Sequence, residues 1–190
     1  MIRKEPDSEA LLLDMTIHGD KTAMHSLYSR YIRYLTAVCS RYIPNEDDVR
    51  DVLQDSFLKI FSSIKNFKYR GEGSLKGWMT KIVLNETLKF VKRTCQFNFI
   101  ELKNDETDIP DDIPETESIP PPVIYKMIRE LPDGYRTIFN LYVIEEKSHK
   151  EISRLLGIKE STSASQLHRA KALLADKIKN YINSNYYPAI

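Results

Sequence analysis

Four residues recur at steps of four near the middle of the chain: Lys81, Asn85, Lys89 and Arg93. On a helix that spacing forms one polar stripe. Lysine and arginine neutralise phosphates, and asparagine can hydrogen-bond the edge of a base. The stripe lies inside residues 59–93, which carry nine Lys/Arg against the two acids Glu72 and Glu86. Phe61, Phe67, Tyr69, Trp78 and Phe90 are interleaved with the charge. Basic groups track a nucleic-acid backbone and exposed aromatics stack on unpaired bases. Lys65, Lys68, Tyr69, Arg70, Trp78, Lys81, Asn85, Lys89 and Arg93 are therefore the candidate contacts to DNA, although Phe61 and Trp78 also suit a helical core.

A second constellation lies further along. Ser148-His149-Lys150-Glu151 reads as a capping box, in which the serine hydroxyl takes the Glu151 amide and the carboxylate reaches back. The helix it starts would bury Ile152, Leu155 and Leu156, Gly157 would turn the chain, and Ile158 would plug the angle. A longer helix is expected from about Ser161 to Lys177, with Leu167, Ala170 and Leu174 inward. Its outer face is small and polar, a surface suited to a major groove. The candidate DNA contacts there are Ser161, Thr162, Ala164, Ser165, Gln166, His168, Arg169 and Lys171. An ordinary helical hairpin with a solvated face is the competing explanation. Capping box, Gly-Ile turn and small outer residues together favour DNA. A third group, Asp51, Gln54 and Asp55 beside Phe57, is acidic in basic surroundings. On the residues alone it either faces a protein partner or is a solvated helix side.

The elements that carry these groups are helical. Ser8 and Asp20 are candidate caps around a short helix ended at Gly19, and Asn45 caps another after Pro44. Met24, Leu27, Tyr28, Tyr31, Leu35, Val38 and Tyr42 make one helical face, and Val49, Val52, Leu53, Phe57, Ile60, Phe61 and Ile64 the next. Ser74 is a candidate cap for the helix bearing the stripe. Val123, Met127, Ile128 and Leu131 form a further face, Pro132-Asp133-Gly134 a turn, and Ile138, Phe139, Tyr142 and Val143 another face. No stretch alternates with period two, so the expected class is all-α.

Charge divides the chain into three blocks. Residues 1–97 carry 16 Lys/Arg against 12 Asp/Glu, residues 98–122 carry 1 against 8, and residues 123–190 carry 11 against 7. The middle block is also rich in proline, with five of the nine between 101 and 122. Such a segment cannot bury enough apolar surface to fold alone. Extended at ~3.1 Å per residue, its ~22 residues would reach ~70 Å, about two turns of DNA at ~34 Å each. The expectation is two small helical domains on an acidic, proline-rich linker. Cys39 and Cys95 stand alone without CxxC spacing and read as thiols in a reducing cytosol. The start lacks an apolar leader segment and no run approaches a membrane span, so a soluble cytoplasmic protein is expected. No Ser/His/Asp set, metal-ligand spacing or paired-carboxylate cleft points to catalysis, a metal or a cofactor.

Together these residues resemble the extracytoplasmic-function group of bacterial sigma factors. In the first block the resemblance runs through Asp51-Val-Leu-Gln-Asp-Ser-Phe-Leu-Lys-Ile-Phe61, Gly77 to Ile82 and Asn85. In the last block it runs through Leu131-Pro-Asp-Gly-Tyr-Arg136, Phe139, Leu141, Ser148 to Ile152, Leu155 to Ile158, and Thr162 to Lys171. It covers nearly the whole chain outside the linker and the ends. The resemblance implies a promoter-recognising polymerase subunit in three parts. Residues 1–97 would be sigma domain 2, binding core polymerase through Asp51, Gln54, Asp55 and Phe57 and the −10 element through the loop Lys65–Ser74 and the stripe. Residues 98–122 would be the linker, threading toward the RNA channel where its charge mimics RNA. Residues 123–190 would be sigma domain 4, reading the −35 element. The implied partners are bacterial core RNA polymerase, promoter DNA and an anti-sigma factor, in many family members anchored in the membrane.

Some positions depart from the family pattern. Ser161 replaces a frequent glycine, Lys159 stands where a small cap is common, Ala164 and Gln166 occupy places often basic, and Lys171 replaces an arginine. Fewer cations imply weaker −35 affinity or a different sequence read. The rival functions are a free-standing helix-turn-helix regulator and a sigma-like interaction adaptor. Replacing the linker acids by their amides is expected to alter initiation or promoter escape. Run-off and abortive-product assays check this, and unchanged transcripts would count against RNA mimicry.

Overall fold

The computed structural model describes residues 8–94 and 119–186. All regular structure among them is helical. The chain divides into two compact units, residues 1–91 and 92–190. The linker segment 98–118 and Cys95 lie outside the described residues.

The first unit holds α1 (Ser8–Ile17), α2 (Lys21–Ser40), α3 (Glu46–Ser63) and α4 (Ser74–Thr94), with a 3₁₀ turn at Ile64–Asn66 closing α3. Asp20 caps α2 by accepting from the Ala23 amide at 2.9 Å. Asn45 caps α3 by accepting from the amides of Asp47 and Asp48. Glu46, Asp47 and Asp48 occupy the first turn, where the helix dipole favours anions. The core joins Leu27, Leu35 and Val38 of α2, Val52 and Ile60 of α3, and Leu75, Met79 and Val83 of α4. Cys39 is buried here, and the apolar surroundings push its thiol pKa up against a hydrogen bond from Thr87. Ser74 is not a cap outside α4 but its first residue. Its Oγ donates to the Gly71 carbonyl at 2.6 Å and accepts from the Arg70 amide at 3.2 Å, so it folds the preceding loop onto the helix end.

The second unit holds α5 (Pro121–Arg129), α6 (Asp133–Phe139), α7 (His149–Leu156) and α8 (Glu160–Tyr186). Proline at the first position suits α5, because that amide has no partner within the helix. The expected turn at Pro132-Asp133-Gly134 is instead the start of α6. The buried Arg136 guanidinium holds that corner by donating to the carbonyls of Arg129 at 3.0 Å and Leu131 at 2.9 Å, and to the Asp133 carboxylate. After α6 comes a π-helical turn, Asn140–Ile144. The wider turn moves the helical register, so Leu141 turns into the core while Tyr142 and Val143 are left exposed. The expected face of Ile138, Phe139, Tyr142 and Val143 is corrected accordingly.

The helix-turn-helix forms as anticipated from its caps. The Ser148 amide donates to Glu151 Oε2 at 2.9 Å and the Glu151 amide donates to Ser148 Oγ at 3.3 Å. Gly157 ends α7 at φ +73°, a left-handed conformation that a Cβ would strain. α8 begins at Glu160 and runs to Tyr186, nine residues beyond the expected end. Those added turns bury Ile178, and Lys177 at the expected end reaches Glu130 at 2.7 Å, tying α8 to the end of α5.

The hydrogen bond from the Ser148 backbone, then that from its hydroxyl, holds the Glu151 carboxyl below the ordinary glutamate range. A carboxyl lowered by folding contributes stability above its unfolded value and loses it as pH falls through its folded one. Ser148→Ala is expected to destabilise the second unit by about 1 kcal/mol. Its deficit relative to the parent should narrow below the ordinary glutamate range, as thermal or urea unfolding at neutral and acidic pH would show.

Candidate nucleic-acid and polymerase interfaces

The loop between the 3₁₀ turn and α4 shapes one side of an open cavity of about 490 Å³. Its walls are Asn66, Phe67, Lys68 and Arg70 of the loop and Ser74, Trp78 and Lys81 of α4. The Phe67 and Trp78 rings lie 4.9 Å apart between centroids, tilted by 35°. Trp78 is half-buried, so its ring is shared between core and cavity. The two rings pack on each other, and the three cations beside them, Lys68, Arg70 and Lys81, give the cavity a basic rim. Of the residues expected here, Lys68, Arg70, Trp78 and Lys81 line the cavity. Lys65 is exposed and Tyr69 half-buried, and neither lines it. Asn66, Phe67 and Ser74, within the loop Lys65–Ser74, line it as well. Phe67 was legible as one of the interleaved aromatics.

The stripe on α4 is real: Lys81, Asn85, Lys89 and Arg93 are all exposed. Leu75, Met79, Val83, Leu84, Leu88 and Val91 occupy its other side and are buried. Its charge is less free than the sequence suggested. Glu86 accepts from Lys89 at 2.8 Å and also pairs with Lys59 of α3. Burial pushes the Glu86 carboxyl up, but the hydrogen bonds and charges of both lysines outweigh it and hold it below the ordinary value. One acid thus occupies two cations of the basic face.

On α3, Asp51, Gln54 and Asp55 are exposed, as a contact surface requires. Phe57 is not available with them. It is buried against Tyr28 and Phe61, with ring centroids at 4.6 Å and 5.9 Å. Steps of four from Val49 through Leu53 place Phe57 on the inward side, so it shapes the helix rather than touching a partner. Leu58, 64% exposed, is the apolar group beside the three polar ones. It had not been picked out, although its position seven residues after Asp51 was the available signal.

On α8, Ser161, Ala164, Ser165 and Lys171 are exposed, and Thr162, His168 and Arg169 are half-buried. Gln166 is buried and is withdrawn as a base contact. It lies four residues before Ala170 and three after the buried Ser163, on the inward side. Ser163 Oγ lies 2.9 Å from His149 Nδ1, joining the two helices of the motif. The His149 ring stacks on Tyr142 at 4.7 Å.

Residues 27–95 match the family model described as Sigma-70 region 2, and residues 123–174 match Sigma-70, region 4. The two matches cover well over half of the chain, in the order the motifs run.

The chain belongs to the sigma-70 family.

Within it the chain falls in the extracytoplasmic-function group, and it is a sigma factor directing promoter-specific transcription. The chain is similar to the ECF RNA polymerase sigma-E factor of Haemophilus influenzae, at 26% identity over 184 residues, spanning 90% of this chain and 96% of that protein. It is also similar to the ECF RNA polymerase sigma factor SigE of Mycolicibacterium smegmatis, at 28% identity over 171 residues, 86% of this chain and 65% of that one. The sigma-E factor of Escherichia coli K12 is 23% identical over 188 residues. Among solved structures, that described as CnrH in complex with the cytosolic domain of CnrY aligns over 92% of this chain and 99% of its own, at 23% identity and a TM-score of 0.48. No helix among the described residues is long and apolar enough to cross a membrane. No cluster of side chains suited to a metal ion occurs among them either.

Releasing the two lysines held by Glu86 has a measurable consequence. Glu86→Gln is expected to tighten DNA binding at low salt and to steepen its salt dependence by ~0.9 in slope for each added contact to duplex phosphate. Binding isotherms across a salt series check this, and an unchanged slope would show that Lys59 and Lys89 face no phosphate.

Proposed function

We propose the following division of labour for this sigma factor. Residues 1–97 dock on core RNA polymerase through the exposed Asp51, Gln54 and Asp55 of α3, with Leu58 beside them and Phe57 holding the helix from below. The same unit takes an unpaired base of the −10 element into the cavity of Phe67 and Trp78, while Lys68, Arg70, Lys81, Asn85 and Arg93 follow the strand. Residues 123–190 present the start of α8 to the −35 element, with Ser161, Thr162, Ala164, Ser165 and His168 toward base edges and Arg169 and Lys171 toward phosphates. Residues 98–122 join the two readers. The protein works without catalysis of its own, in the cytoplasm. Its partners are core polymerase, promoter DNA and an anti-sigma factor that holds it inactive.

The observation that carries this reading is the aromatic cavity ringed by cations. A free-standing duplex-binding regulator has no use for a slot that accepts a base only after strand separation. Its place in the same unit as the acidic face of α3 joins melting to polymerase attachment.

Added to core polymerase with genomic promoter fragments, the protein is expected to give specific run-off transcripts. Trp78→Ala should weaken binding of the opened strand by about 1–3 kcal/mol, the usual worth of one base–aromatic stack, and leave the upstream footprint in place. Arg169→Ala should do the opposite, weakening the upstream footprint and its salt dependence. Tight DNA binding without any association with polymerase would establish the free-standing regulator instead.

A further inference from the structure

The cavity loop carries two glycines with positive φ, Gly71 at +107° and Gly73 at +82°. Backbone of this kind has many conformations open to it and loses more entropy than other residues on being ordered. A cavity that discriminates must nonetheless keep Phe67, Lys68 and Arg70 in place against Trp78 and Lys81. The Ser74 hydroxyl supplies a local tie, reaching residues three and four positions back. A second tie comes from 64 residues away. The Gly73 amide donates to Glu9 Oε2 of α1 at 2.9 Å.

Glu9 is an unusual residue for this task. It is 3% exposed, in a position where a carboxylate is costly to bury unless its oxygens are hydrogen-bonded. Both oxygens have partners: Oε2 takes the Gly73 amide, and Oε1 accepts from the Tyr31 hydroxyl of α2 at 2.6 Å. Tyr31 is itself buried, so the carboxylate is braced on a rigid helix and reaches from there to the loop. Hydrogen bonds to a charged acceptor are stronger than neutral ones. Moving the loop would strip a buried carboxylate of a donor, and that cost selects one loop conformation.

We propose that Glu9 is a positioning residue for the −10-side cavity: through Gly73 it holds the loop 67–73 in the shape that discriminates an unpaired base. The role rests on the cavity accepting a base, as argued above. Glu9 itself touches no DNA. It couples α1, which carries none of the contact residues, to the fidelity of promoter opening.

The test uses the full-length protein assembled with core polymerase. The probe is the non-template strand of the promoter giving the strongest run-off transcript, intact or with one base at a time replaced by an abasic site. The parent is expected to lose affinity at one abasic position. Glu9→Ala should bind the intact strand about tenfold more weakly, as expected for losing one hydrogen bond to a charged group, and should no longer distinguish the abasic strand. Polymerase affinity and the upstream footprint should not change. Glu9→Gln keeps an oxygen for the Gly73 amide and should restore most of the discrimination. In the free protein, trypsin should cut after Lys68 and Arg70 faster in Glu9→Ala than in the parent. Should Glu9→Ala fail to fold, Tyr31→Phe removes only the brace and should reduce discrimination partway. Parent-like discrimination and cleavage in these variants would overturn the role of Glu9 while leaving the cavity reading intact. A parent indifferent to every abasic position would overturn the cavity reading, and this role with it.

Discussion

Helix α4 has to bury Leu75, Met79, Val83, Leu88 and Val91, because they complete the small core that α2 and α3 begin. That obligation orients everything else on the helix. With 3.6 residues per turn, the side opposite the core must carry Lys81, Asn85, Lys89 and Arg93. It also sets Trp78 at the boundary, one residue short of the buried Met79, where a ring can be half in the core and half in the cavity. The same constraint on α3 sends Phe57 inward and leaves Asp51, Gln54, Asp55 and Leu58 outside. The basic face of α4 and the acidic face of α3, the proposed nucleic-acid and polymerase contacts, are thus two consequences of one core.

The basic surface is moderated by its own acids. Glu86 ties down Lys59 and Lys89, and Glu130 pairs with Lys177 on the second unit. Exposed pairs of this kind contribute little to stability. Their larger effect is on the field that DNA meets, since a paired lysine releases fewer counterions than a free one. The second unit follows the same economy. Its outer face on α8 is small and weakly charged.

The two units differ in how they are held. The second has many local devices, the capping box at Ser148, the left-handed turn at Gly157 and the Arg136 guanidinium closing the α5–α6 corner over seven residues or fewer, with Lys177 and Glu130 joined across 47 positions. The first has local caps at Asp20 and Asn45 and adds several long-range ties. Thr87 meets Cys39 across 48 positions, Glu86 meets Lys59 across 27, and Glu9 meets Gly73 across 64. Local periodicity is silent about such distant ties.

What the sequence by itself determined follows from period and composition. Helical class, the caps at Asp20, Asn45 and Ser148, the turn at Gly157 and the exposed α4 stripe are all set by residues within one or two turns of each other. So are the motifs that place the chain in its family. Tertiary structure alone decided four matters. Phe57 and Gln166 turn inward, since a polar or aromatic residue on a helix boundary goes to whichever side its neighbours leave room. The π-helical turn exchanges Leu141 for Tyr142 in the core, because a one-residue widening leaves no trace in a short apolar run. Ser74 joins its helix instead of capping it from outside, since its hydroxyl is claimed by the loop. Glu9 reads in sequence as one more surface acid at the start of a helix. It becomes a buried anchor only because folding brings Tyr31 and the Gly73 amide to its two oxygens, and no local pattern records a meeting between residues so far apart.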